Sequence, residues 1–148
     1  MLNRAVRTAA LVSLLLLAGC SLSSRRPAML SQEEARAFAT KVEAMTANLL
    51  TSFSNHDLAA HTRDMDAQMR AATETQFEAG YQAVIGKIGK YLSHTMVRVE
   101  EQGQLRAVVY DARFEQEEHV TVRVIYSVAE AVPKVSGLWF DSPKLRQP

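Results

Sequence analysis

The hydrophobic period of the chain changes once, and the change divides it. Between residues 31 and 93 apolar side chains return every three or four positions, as on a helix with one covered face. From residue 95 onward they return every second position, as on a strand. Residues 31–57 (SQEEARAFATKVEAMTANLLTSFSNHD) predict a long helix, with Ser31 and Glu34 as a capping box and Ala35, Phe38, Val42, Met45, Leu49 and Phe53 as its stripe. "SNHD" supplies the turn and cap residues that separate helices. Residues 57–73 predict one or two short helices. Residues 74–93 predict a further one, with Phe77, Tyr81, Val84, Ile85, Ile88 and Leu92 on one side. Gly80, Gly86 and Gly89 lower its regularity and are read as points where a helix approaches its neighbour closely.

Four segments then read as antiparallel strands: 95–103, 105–114, 119–130 and 133–141, rich in Val, Ile, Tyr, Phe and Thr. Helices first and strands afterwards predict an α+β fold, with the N-terminal helices packed on one face of a curved four-stranded sheet. The alternation assigns the two faces. Val120, Val122, Val124 and Tyr126 point toward the helices, as do Val108, Tyr110, Ala112 and Phe114. Val109, Asp111, Arg113, Thr121, Arg123 and Ile125 point away. A one-residue slip would exchange the two sets and turn Asp111 and Arg123 inward.

The start of the chain follows neither period. Arg4 and Arg7 precede an apolar run at residues 9–17, which ends in Ala18, Gly19 and Cys20. This is the three-part pattern of a signal peptide, and the run is much shorter than the roughly 20 residues that span a bilayer. "LAGC" at residues 17–20 resembles the bacterial lipobox, which implies cleavage before Cys20 and a diacylglyceryl group on its sulfur. As the only cysteine, Cys20 has no intramolecular disulfide partner. Ser21 after it favours, by the same resemblance, the periplasmic face of the outer membrane. The expected organisation is a signal peptide at 1–19, a lipidated N-terminus and linker at 20–30, and one domain at 31–148.

Removing residues 1–19 of the 148 leaves 129, about one domain. Of 17 Lys and Arg, 15 then face 16 Asp and Glu, a balance that does not suggest nucleic-acid binding. The expected partners are the membrane, through the N-terminal lipid, and a second copy or an envelope protein.

The order of elements, the "NHD" turn, "YDARFEQEEHVTVRVIY" (110–126) and "VSGLWFDSPKL" (135–145) resemble the nuclear-transport-factor-2-like, cystatin-like superfamily over residues 31–145. The resemblance implies a cone of helices on a curved sheet, a pocket between them, and frequent dimerisation through the sheet. It implies no single activity, because the superfamily holds isomerases, dehydratases, cyclases and non-catalytic binders.

Chemistry-bearing residues are few. Gly80 and Gly86 enclose five residues where a phosphate loop needs four, and Ile88 stands where that loop needs Ser or Thr. Asp57, His61 and Asp64 have the i, i+4, i+7 spacing that places three metal ligands on one helix face, yet Asp57 equally suits a helix start; no metal or other cofactor is assigned. His94, expected in the loop before the first strand, is the residue best suited to a general base. Tyr81, Tyr110 and Asp111 complete the catalytic candidates. The pocket is expected to be lined by Phe38, Val42, Met45, Tyr81, Tyr110 and Tyr126. Val109, Arg123, Ile125 and Trp139 are expected to form an interface on the outer face. Since the inward strand positions carry no charge, the leading reading is a binder of a small apolar ligand or a protein partner. The alternatives are an acid–base enzyme of the same fold and a structural component of an envelope complex.

Overall fold

The computed structural model describes residues 26–148; Cys20, Ser21 and the rest of the expected leader lie outside the described residues. Its elements are β1 (Ala28–Met29), α1 (Gln32–Ser54), α2 (Leu58–Thr62), α3 (Ala67–Ile88), β2 (Tyr91–Gln102), β3 (Leu105–Phe114), β4 (Glu117–Ser127) and β5 (Lys134–Asp141). The fold is α+β, with an antiparallel sheet in the order β1-β2-β3-β4-β5. Five strands stand where four were expected. The extra one comes from the segment read as linker, where Ala28 and Met29 pair with Glu101 and Glu100 at the edge of β2.

Helix α1 starts as its sequence requires. The Ser31 hydroxyl oxygen accepts from the Glu34 N–H at 3.3 Å, and the Glu34 carboxylate accepts from the Ser31 N–H at 3.2 Å. These bonds satisfy two of the backbone donors that every helix start leaves open. From there Phe38, Val42, Leu49 and Phe53 run down one face and are buried against the sheet.

The middle of the chain differs from the expectation. One helix, α3, runs unbroken from Ala67 to Ile88, because Asp66 caps it and no breaker separates residue 73 from residue 74. Asp66 accepts from the Met69 N–H at 2.8 Å and from the Ser136 hydroxyl, so the cap also ties α3 to β5. The helix stops earlier than its apolar period, which continues to Leu92. Gly89 takes φ 77°, and its N–H closes the last turn on the Ile85 carbonyl at 2.9 Å. Tyr91 is already strand, and Leu92 is 53 % exposed.

Of the three glycines, Gly89 alone is placed against a neighbouring element. A Cβ there would stand 2.8 Å from the Cβ of Glu115, whereas one on Gly80 would meet nothing within 4 Å and one on Gly86 only Gln82 of its own helix.

The strand phase is as expected. Val108, Tyr110, Ala112, Phe114, Val120, Val122, Val124 and Tyr126 are all buried, while Asp111 and Arg113 face solvent. Val109 is on the outward face but only 3 % exposed, so it is not free surface. Its cross-strand neighbours are Arg98 and Arg123, whose long stems are able to cover a small side chain between them.

Candidate functional site

The expected pocket between helices and sheet is filled. Phe38, Val42, Tyr110 and Tyr126 belong to the packed core, with Met45 and Tyr81 against it. What closes the centre is Thr46, a polar residue in the middle of the apolar face of α1 and fully buried. Its Oγ1 lies 3.1 Å from the Val42 carbonyl, 3.0 Å from the Tyr110 hydroxyl and 2.6 Å from the Tyr126 hydroxyl. A threonine hydroxyl has one proton and two lone pairs. Donation to Val42 and acceptance from both tyrosines therefore saturates it. Burial pushes the Tyr110 pKa up to about 12 and that of Tyr126 higher, so neither phenol exchanges protons near neutrality.

His94 is not in a loop. It sits in β2 opposite Ala112, with its side chain only 5 % exposed and its ring edge-on to Tyr110 at 4.6 Å. Its Nδ1 is 2.6 Å from the Tyr91 hydroxyl and its Nε2 is 3.1 Å from the Glu43 carboxylate. Carboxylate, imidazole and hydroxyl in this order resemble an activated nucleophile. Burial and then the Glu43 charge raise the Tyr91 pKa, which is the opposite of activation. Tyr81 belongs to another cluster, with its ring 4.3 Å from that of His56 and 6.0 Å from that of Phe53. Asp111 faces outward and pairs with His119 at 3.1 Å.

The three residues with metal-ligand spacing have separate tasks. Asp57 caps α2 by accepting from the Ala60 N–H at 3.0 Å, and Asp64 holds Arg63 at 3.0 Å. Among the described residues no group of three His, Cys, Asp or Glu stands close enough to hold a metal.

His61 points elsewhere. It is 2 % exposed, and it lines a cleft of about 350 Å³ between α3 and β5. Phe53, Phe77, Leu138 and Phe140 form the apolar walls. On α3 the small residues Ala72, Thr73, Ala79 and Gly80 lie between the larger Met69, Phe77 and Val84, and this spacing leaves the cleft room. No charged side chain contributes to the lining.

His61 Nδ1 is 2.9 Å from the Leu49 carbonyl. A carbonyl only accepts, so the proton is on Nδ1. Burial holds the His61 pKa below the ordinary histidine value, although the carbonyl bond opposes it. The ring is therefore neutral near pH 7 with Nε2 unprotonated. That nitrogen has no hydrogen-bond partner among the described residues and is not fully enclosed, and the ring that carries it borders the cleft. Histidine spacing singled out His61 but suggested a metal; its true setting depends on Leu49, twelve residues earlier in the chain.

The outer face of the sheet has a different character. Glu100 joins Arg98 at 2.8 Å and Arg123 at 2.7 Å. Burial works against the Glu100 charge, yet the two guanidinium groups hold its pKa below the ordinary glutamate value. Trp139 stands opposite Arg123 and is 67 % exposed, while Ile125 is half-buried. Of the four residues expected at an interface, Trp139 alone presents a large apolar surface.

Comparison with protein-family models, with curated proteins and with solved structures gave no match to this chain.

Proposed function

We propose that the protein is an exported lipoprotein, cleaved before Cys20 and held by its lipid on the periplasmic side of the outer membrane, whose domain binds a small apolar molecule without changing it. The observation that carries the binding part is the uncharged aromatic lining of the α3–β5 cleft. Pockets of a few hundred Å³ with apolar walls and few polar groups are the usual form of small-molecule sites. Proton-transfer chemistry needs a titratable group placed against the reacting atom. The tyrosines of the centre commit their hydroxyl protons to Thr46, and burial raises the Tyr91 pKa. These features favour binding over catalysis.

Two experiments separate the parts. Nile red, a neutral apolar dye, is expected to gain fluorescence on the full chain, and Gly80→Phe is expected to abolish that gain by placing a ring in the cleft. Gly80 has open space where the new side chain would start, so the variant keeps its fold. Equal dye binding by both proteins would rule the cleft out as the site. For the anchor, cells fed labelled palmitate are expected to label the wild-type chain and leave Cys20→Ala unlabelled. A labelled Cys20→Ala would remove the lipid from the proposal.

A further inference from the structure

The His61 imidazole borders the cleft with a second ring nitrogen that has no hydrogen-bond partner among the described residues, and this specifies the molecule that fits. We infer that the occupant is a neutral amphiphile bearing a hydroxyl group, which donates its proton to Nε2 of His61. The inference rests on the cleft being the binding site.

Three observations support it. His61 Nδ1 is committed to the Leu49 carbonyl, which leaves Nε2 as an acceptor and excludes it as a donor. The ring is nearly sealed, between Phe53 at 5.1 Å and Phe77 at 5.4 Å. An occupant of the cleft therefore removes the remaining water from Nε2. A ligand with no donor would leave that lone pair buried and unpaired, which is penalised more heavily than a made bond is rewarded. Finally, the lining has no Lys or Arg to balance a carboxylate, and a bare imidazole lone pair repels one.

The chain also holds the ring in place. Leu49 is on α1 and His61 on α2, and the connection between them is short and well bonded: Asp57 caps α2, and its N–H donates to the Ser52 carbonyl at 2.9 Å. The imidazole is thus fixed before any ligand arrives, and preorganisation of this kind turns one hydrogen bond into selectivity.

The test uses isomers, so that apolar area is constant. Displacement of Nile red from the full chain is measured with 1-octanol, with heptyl methyl ether, which has the same atoms but no donor, and with octanoate. Octanol is expected to act at about five- to tenfold lower concentration than the ether, the worth of one net hydrogen bond. Octanoate at pH 8 is expected to be the weakest of the three. In His61→Phe the two neutral isomers are expected to become equal, because the ring remains and the acceptor is gone. Equal potency of octanol and ether on the wild type, or octanoate as the strongest, would overturn the hydroxyl assignment while leaving the cleft as a site. Dye binding that survives Gly80→Phe would instead overturn the cleft itself. If His61→Phe fails to fold, the order of the three compounds on the wild type decides.

Discussion

Thr46→Val is expected to lower the stability of the domain by about 3 kcal/mol, while Thr46→Ser lowers it by no more than about 1 kcal/mol. Valine has nearly the shape of threonine, so little packing changes. What disappears is the oxygen that accepts from the hydroxyls of Tyr110 and Tyr126, both buried. One phenol is able to turn to the other, but a pair of phenols without Thr46 leaves at least one buried group short of a partner. Each such group is penalised by about 1–3 kcal/mol. Chemical denaturation monitored by circular dichroism reads the difference directly. A Thr46→Val protein as stable as the wild type would mean that the two tyrosines pair adequately alone.

The second large effect is at the end of α3. Gly89→Ala is expected to destabilise by about 3 kcal/mol, and Gly80→Ala, nine residues earlier and inside the helix, to stabilise by about 0.5–1 kcal/mol. Gly89 has φ 77° and ψ −169°, a region in which side chains are strained. A new Cβ would also stand 2.8 Å from that of Glu115, in the β3–β4 hairpin. The hairpin cannot easily move away, because the Gln116 N–H donates to the Ile88 carbonyl and the Glu115 N–H to the Lys90 carbonyl, each at 2.9 Å. Gly80 is regular helix with empty space beside it, so alanine there removes only the entropy that glycine carries in the unfolded chain. Thermal melts of the two variants test the contrast. Equal shifts of the same sign would refute it.

The two histidines show how far local spacing is from tertiary setting. His94 stood out as a general-base candidate in a connecting loop, but the loop is absent: Gly89 ends the helix, the Tyr91 N–H bonds to the Ser54 hydroxyl at 2.8 Å, and β2 begins at once. Its partner Glu43 is 51 positions away and gave no local signal. His61 drew attention through i, i+4, i+7 spacing with Asp57 and Asp64. That spacing assumes one continuous helix, and α2 ends at Thr62, with Asp57 outside it as the cap. Short polar motifs specify caps and turns as readily as ligands, and the difference lies in which element continues.

The class of fold, the start of α1 and the faces of β3 and β4 were legible before any tertiary contact was known. Those features depend on local rules: a capping box acts over three residues, and a strand with period two presents the same face wherever it pairs. Tertiary structure alone decided that Ala28 and Met29 add a strand at the β2 edge, because pairing with residues 100 and 101 leaves no trace in the composition of a polar linker. It decided that the centre is solid, since whether Thr46 meets Tyr110 and Tyr126 depends on how far α1 stands from the sheet and at what register. It also decided where the open space lies, because a cleft is the gap left between α3 and β5 after both have packed elsewhere, and no single segment encodes a gap.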